Sequence, residues 1–171
     1  QVDHLRATPI LAAHFRRLGL DDLVVVSPDA GSVARAEEFR RRTGGSLAII
    51  SKQRPGPERA EVLEMVGDVE GRHAVIVDDM ISSGVTLVKA ADALLARGAR
   101  SVRAAAVHGV FAGEAMRLIQ ESPIEKVFVT DTLPLPEGVS SDKVEVLTVA
   151  PLIAEAIMRI HKDLSISALF T

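Results

Sequence analysis

Three runs of four consecutive apolar residues constrain the fold of this chain more than any other feature: Leu23-Val24-Val25-Val26, Leu47-Ala48-Ile49-Ile50 and Ala74-Val75-Ile76-Val77. A strand with one wet face alternates apolar and polar residues. An unbroken apolar run belongs to a strand covered on both faces, the habit of parallel sheets. Segments of helical spacing separate the runs. Arg6 to Leu18 carries Ile10, Leu11, Phe15 and Leu18 and ends at Gly19. Val33 to Thr43 is closed by Gly44-Gly45, and Val85 to Arg97 places Leu87, Ala90, Leu94 and Leu95 on one side before Gly98. Further strands are predicted over Val102 to Val107, Lys126 to Thr130 and Val144 to Val149, with helices over Ala112 to Ile119 and Leu152 to Ile160. Glu61 to Val69 reads equally as strand or short helix. Strands alternating with helices predict an α/β fold, a mostly parallel twisted sheet with helices on both faces. No repeat, low-complexity tract or linker divides the 171 residues, so one domain is expected.

Composition narrows the function. The net charge is −3 and tryptophan and tyrosine are absent, which leaves no electrostatic footprint and a poor stacking platform for nucleic acid. The short run Arg40-Arg41-Arg42 reads as a solvated helix end. No apolar run approaches the roughly 20 residues that span a bilayer. No membrane and no nucleic acid are therefore expected as partners. With no cysteine there is no disulfide framework and no thiolate ligand or nucleophile, as suits a cytoplasmic protein.

In open α/β sheets ligands sit beyond the carboxyl ends of the strands, and three sequence features fall there. The strongest follows the third run: adjacent carboxylates Asp78 and Asp79, then Ser82, Ser83 and Gly84, then Val85 and Thr86 opening a helix. Backbone N–H groups at a helix N-terminus, hydroxyl donors and a glycine that admits close approach suit a phosphate. The carboxylates could accept hydrogen bonds from sugar hydroxyls. The bland alternative is an Asp-rich cap before a helix N-cap serine. The second feature is Ser27-Pro28-Asp29-Ala30-Gly31-Ser32. Asp29 could bind Mg²⁺, which prefers oxygen and often uses only one or two carboxylates, although by spacing alone a plain N-cap with a Pro turn is the simpler reading. The third is the polar loop Ser51 to Arg59, where Lys52 and Arg54 could clamp a transferring phosphoryl group, although by spacing alone a solvated loop is the simpler reading. His4, His14, His73, His108 and His161 show no metal-ligand spacing, and His108 reads as a structural histidine.

These segments together resemble the C-terminal half of the ribose-phosphate pyrophosphokinases, which make phosphoribosyl pyrophosphate (PRPP). The resemblance is carried by Val2-Asp3-His4-Leu5, Ser27-Pro28-Asp29, Lys52-Gln53-Arg54-Pro55, Gly67-Asp68-Val69-Glu70-Gly71, Val77-Asp78-Asp79-Met80-Ile81, Val129-Thr130-Asp131-Thr132, Val149-Ala150-Pro151-Leu152 and Ser165-Ile166-Ser167-Ala168-Leu169-Phe170. It implies a phosphoribosyltransferase-like fold and transfer of the β,γ-diphosphate of ATP to the 1-hydroxyl of ribose 5-phosphate, with release of AMP. It implies that Lys52 stabilises charge on the moving diphosphate, that Arg54 assists and that Asp29 holds Mg²⁺. Asp78 and Asp79 would contact the ribose hydroxyls, and Ser82, Ser83, Gly84, Val85 and Thr86 would cradle the 5-phosphate. The loop of Lys52 would close over the substrates. Homo-oligomers, often hexamers, are expected as well.

The chain departs from that pattern at four positions. Ser82 stands where most of the family has Asp, Gln53 where it has Arg, and Ser32 and Val85 where glycine is usual. If position 85 needs positive φ, valine there is strained and the loop geometry comes into doubt. The family is built of two similar halves, and the residues here correspond to one. The start at Gln1 rather than Met suggests a piece of a longer enzyme, so full activity is not expected from these residues alone. Two other functions compete: a free-standing type I phosphoribosyltransferase, and a non-catalytic PRPP-synthetase-like regulatory or associated subunit.

Overall fold

The computed structural model describes residues 2–53, 62–137 and 142–169, with the backbone alone at 52, 53, 62 and 63. In chain order the elements are α1 (Thr8–Leu18), β1 (Leu23–Ser27), α2 (Val33–Thr43), β2 (Ser46–Gln53), β3 (Val62–Val66), β4 (His73–Ile81), α3 (Val85–Ala96), β5 (Ser101–Gly109), α4 (Ala115–Glu121), β6 (Lys126–Thr130), β7 (Val144–Leu147) and α5 (Ala150–His161), followed by a 3₁₀ turn at Ser167–Leu169. The strands form one sheet of seven in the order β3-β2-β1-β4-β5-β6-β7. All neighbours run parallel except β3, which pairs antiparallel with β2.

The apolar runs behave as their composition requires. Val24, Val25 and Val26 are fully buried, and alternate residues of β4 feed opposite faces of the sheet. Ala74 and Ile76 join a core with Leu87, Ala91 and Leu94 of α3 and Ile119 of α4. Val75 and Val77 join a second core with Leu11 and Phe15 of α1 and Phe39 of α2. In that second layer Phe15 meets Phe39 and Phe128 edge-on, at ring separations of 5.4 and 5.0 Å.

Several boundaries differ from expectation, each for a local reason. Glu61 to Val69, ambiguous in sequence, is strand over Val62–Val66, because Glu64, Met65 and Val66 find backbone partners in Ser51, Ile50 and Ile49. By the same pairing Ser51, Lys52 and Gln53 belong to β2 and not to a loop. Helix α1 starts at Thr8, with Pro9 in its first turn, where a missing N–H costs nothing. Helix α4 starts at Ala115 and not Ala112, since Phe111 and Gly113 take positive φ of 45° and 58°. Strand β7 stops at Leu147 because Val149 caps α5, its N–H donating to Asp131 Oδ1 at 2.8 Å.

The chain runs outward from β1 to β2 and β3 on one side, then returns to β4 and proceeds to β7 on the other. The carboxyl ends of β1 and β4 therefore flank a topological switch point, where an open sheet leaves a crevice.

Candidate functional site

Asp29 leaves the end of β1 and Asp78 lies near the end of β4, so the switch point brings together two carboxylates 49 positions apart, one from each strand that flanks it. They line one cavity of about 200 Å³, together with Pro28, Ser82, Ser83, Gly84 and Thr86. That is smaller than the roughly 300–1,000 Å³ of pockets for drug-sized ligands and suits a compact polar molecule. Val85, named with these residues from the sequence, does not line the cavity.

Strand β4 runs farther than the apolar run suggested. Pairing with β5 continues to Met80 with His108 and Ile81 with Gly109, so Asp78 and Asp79 are strand residues and not part of the following loop. The pleat starts their side chains on opposite faces, yet the two carboxylates stay in contact with each other. Asp78 faces the small cavity, and Asp79 faces a larger cleft of about 1080 Å³ on the α2 side, lined also by Arg35, His108 and Thr132. His108 Nδ1 is 2.8 Å from Thr132 Oγ1, a structural contact of the kind expected for it.

After Ile81 the chain turns through Ser82 and Ser83, both exposed, to Gly84 at φ 76°, and α3 opens at Val85 behind this glycine, an N-cap with no side chain of its own to cap the helix. The left-handed conformation falls on Gly84. Val85 is the first helical residue and is absent from the residues of positive φ, so the strain feared for a valine there does not arise. The turn is braced from behind: Ile81 O accepts the N–H groups of Val110 and Phe111, each at 3.0 Å, and Ser82 O that of Ala112 at 3.1 Å. An uncapped helix start beside two serines is equipped to receive an anion.

The loop after β1 is equally fixed. Ser27 Oγ donates to the Asp29 carbonyl at 2.7 Å, and Asp29 Oδ1 accepts the N–H of Ser32, the residue that caps α2, at 2.8 Å. Asp29 thus does hold the helix start, as its spacing suggested, while its side chain also borders the cavity. Two hard carboxylates bordering one cavity fit Mg²⁺ in the mode where substrate and water complete the shell. Among the described residues no group of three or more His, Cys, Asp or Glu could hold a metal without such help.

Arg35, on the first turn of α2, went unnoticed in the sequence. Its Nη1 lies 3.2 Å from Asp78 Oδ1 and its Nη2 3.2 Å from Asp79 Oδ2. Ser32 Oγ accepts from Arg35 Nη1 at 3.2 Å and donates to Asp78 Oδ1 at 3.4 Å. A cation in a helix's first turn opposes the macrodipole, and this is the signal that could have drawn attention to it. Burial pushes the Asp78 carboxyl above its usual range, helped by the adjacent Asp79 and opposed by the Asp79 N–H and Arg35. Burial acts the same way on Asp79, but Arg35, the contact with Asp78 and the Met80 N–H outweigh it and hold Asp79 below the usual carboxylate range. Of the two cations named from the sequence, Lys52 sits in β2 opposite Leu63 of β3 with its side chain outside the described set, and Arg54 lies outside the described residues.

The family described as the phosphoribosyl synthetase-associated domain matches residues 48–171. The chain belongs to that family. Its curated relatives include a ribose-phosphate pyrophosphokinase of Caldanaerobacter subterraneus, 54% identical over 99% of this chain and 54% of the relative, and one of Aquifex aeolicus, 48% identical over 99% of this chain and 55% of the relative. The chain spans about half the length of the curated relatives it matches. Among solved structures, a phosphoribosylpyrophosphate synthetase of Mycobacterium smegmatis superposes with a TM-score of 0.87 at 37% identity, over 95% of this chain and 53% of that one. A purine phosphoribosyltransferase of Pyrococcus horikoshii superposes at 0.52 with 18% identity, a likeness of fold alone. The phosphoribosyltransferase-like α/β architecture expected from the sequence is thereby established.

Proposed function

We propose that this chain binds ribose 5-phosphate at the switch point and forms the ribose-phosphate half of a ribose-phosphate diphosphokinase, which moves the diphosphate of ATP to the 1-hydroxyl and releases AMP. The observation that carries the reading is the shared cavity of about 200 Å³, in which the serines and helix start of the phosphate loop face Asp78 and Asp29. The 5-phosphate sits against Ser82, Ser83, Gly84 and Thr86, with donors from the α3 start. The ribose hydroxyls donate to Asp78 and Asp79 across the end of β4. Asp29 would hold Mg²⁺, which would offset the negative charge of the diphosphate.

Lys52 stands at the far end of β2 and, with Arg54, stabilises charge on the moving diphosphate. The chain spans about half of its curated relatives, so the complete reaction is assigned to a protein carrying the length that they have in addition. The assembly is a homo-oligomer. No helix of the described residues is long and apolar enough to cross a membrane.

Calorimetric titration of the 171-residue chain with ribose 5-phosphate and Mg²⁺ tests the site, beside a Ser83→Glu variant that places a negative charge in the phosphate loop. Binding in the parent that disappears in the variant supports the reading; a folded parent that binds nothing overturns it. Mixing ATP and ribose 5-phosphate with a protein of the relatives' full length, and measuring AMP, tests the reaction and separates it from a transferase that consumes PRPP or a subunit that only binds.

A further inference from the structure

Arg35 needs an explanation that stability does not supply. Helix α2 is already docked by Ala36 and Phe39, both fully buried, and its start is already held by the Asp29–Ser32 bond. Arg35 is about 29% exposed and its partners Asp78 and Asp79 are 28% and 51% exposed. Ion pairs with that much water contribute little to folding. Its place in the first turn of α2 also works against the helix dipole. What the guanidinium does is span the pleat: one fork reaches two consecutive strand residues whose side chains leave β4 on opposite faces.

We propose that Arg35 is the positioning residue of the sugar site, bracing Asp78 and Asp79 so that both present oxygen acceptors to neighbouring hydroxyls of one ribose. The inference rests on reading those two carboxylates as the acceptors for the ribose. Two free carboxylates side by side repel each other and swing apart. A planar fork with Nη1 on one and Nη2 on the other cancels the repulsion and fixes both carboxylate planes. Arg35 takes one lone pair of Asp78 Oδ1 and one of Asp79 Oδ2, and an ionised carboxylate has about four acceptor sites, so lone pairs remain on each for a hydroxyl. Asp79 Oδ1 is also held, by the Met80 N–H at 2.8 Å, and retains a further lone pair. Ser32 completes the brace, because its hydroxyl ties Arg35 Nη1 to Asp78 and its N–H ties the same turn to Asp29. A glycine at position 32 would supply the N–H but not the hydroxyl, so Ser32 gives this chain one more constraint on the pair.

The test separates the sugar from its phosphate. The 171-residue chain and its Arg35→Met variant are titrated calorimetrically with ribose 5-phosphate and, separately, with inorganic phosphate, which uses the loop and offers no ribose hydroxyl. The expected result is an affinity for ribose 5-phosphate about tenfold weaker in the variant, one charge-assisted hydrogen bond's worth, with inorganic phosphate unchanged. Arg35→Lys keeps the charge and loses the fork, and is expected to recover part of the loss. Equal weakening of both ligands marks general damage to the loop and overturns the inference, as does a variant that binds both as the parent does. Should Arg35→Met fail to fold, Arg35→Lys is judged by the same two ligands. A folded parent that binds no ribose 5-phosphate at all defeats the proposed function and not the role of Arg35 in particular.

Discussion

Asp78 Oδ1 accepts the backbone N–H of Asp79 at 2.9 Å, and even with that bond and Arg35 beside it the Asp78 carboxyl is held above its ordinary range by burial. A carboxyl whose pKa is raised on folding binds its proton more tightly in the folded state. Stability therefore falls as pH rises from the ordinary value of 3.8 through the raised one, and the cost persists at neutral pH. Asp78→Asn removes that cost. The variant is expected to melt above the parent at neutral pH, with the gap closing as the pH is lowered toward 3.8, and to bind ribose 5-phosphate at least about tenfold more weakly. Thermal melts across that range, with one calorimetric titration at neutral pH, check both halves. A lower melting temperature at neutral pH contradicts the first.

The proposed phosphate loop places its conformational demand on one residue and not on its neighbour. Gly84 at φ 76° begins the turn into α3, and its carbonyl accepts the N–H of Val88 at 3.0 Å. Alanine at 84 has room, the nearest atom to its Cβ being Ala115 O at 3.5 Å, but not the backbone freedom, and should cost about 1–2 kcal/mol. Val85→Gly restores the residue usual in similar enzymes but relieves no strain. It is expected to leave ribose 5-phosphate affinity within about twofold and to lower stability by a few tenths of a kcal/mol, the difference in helix propensity. Urea unfolding of both variants distinguishes them.

Behind the loop, Gly109 is required by a ring and not by its own dihedral angles. A Cβ there would stand 2.4 Å from Phe111 Cε2, and Phe111 is buried at φ 45° with its N–H on Ile81 O. Gly109→Ala must displace Phe111 and with it the backbone that braces Ile81 and Ser82. The expected outcome is a loss of about 1–3 kcal/mol, as for overpacking elsewhere, accompanied by weaker binding of inorganic phosphate. Full retention of phosphate affinity in a destabilised variant would show that the brace does not shape the loop.

The parts of this molecule legible in sequence are those decided within one segment. Leu23–Val26 and Ala74–Val77 announce buried parallel strands because every residue in them is apolar, and Asp78, Asp79, Ser82 and Gly84 announce a candidate site because they follow such an apolar run closely. The parts that were not legible are decided between segments. β4 runs on through Asp78 and Asp79 because β5 is there to pair with it, and β3 is a strand because β2 offers an edge. Arg35 meets its carboxylates across 43 positions of sequence, and among the arginines of α2 nothing but its awkward place in the first turn sets it apart.

Asp131 gives a second, opposite pH dependence. The hydrogen bond from Thr148 and the Val149 N–H hold its carboxyl below the ordinary value of 3.8. A depressed folded pKa means that the ionised group stabilises the fold above the unfolded value, and that this is lost as pH falls through the folded one. Asp131→Ala removes the acceptor at the start of α5. It is expected to melt below the parent at neutral pH, and the two are expected to converge once the pH is taken below the folded carboxyl's titration. Parallel melting curves at every pH would mean that the loss is one of packing and not of charge.

Lys52 is the sharpest test of the division between binding and transfer. Strand β2 carries it beyond the stretch paired with β1, with β3 alongside and Lys52 opposite Leu63, on the far side of β1 from the proposed phosphate loop. A group placed to meet charge that develops on the diphosphate contributes to the transition state and little to ground-state binding of ribose 5-phosphate. Lys52→Ala in a protein of the relatives' full length is therefore expected to lower kcat by about 10²–10³, the usual loss for one such donor, while ribose 5-phosphate binds as before. Steady-state AMP release supplies the first quantity and calorimetry the second. If ribose 5-phosphate affinity falls with kcat, Lys52 belongs to the sugar site, and the transfer charge must be met by another residue.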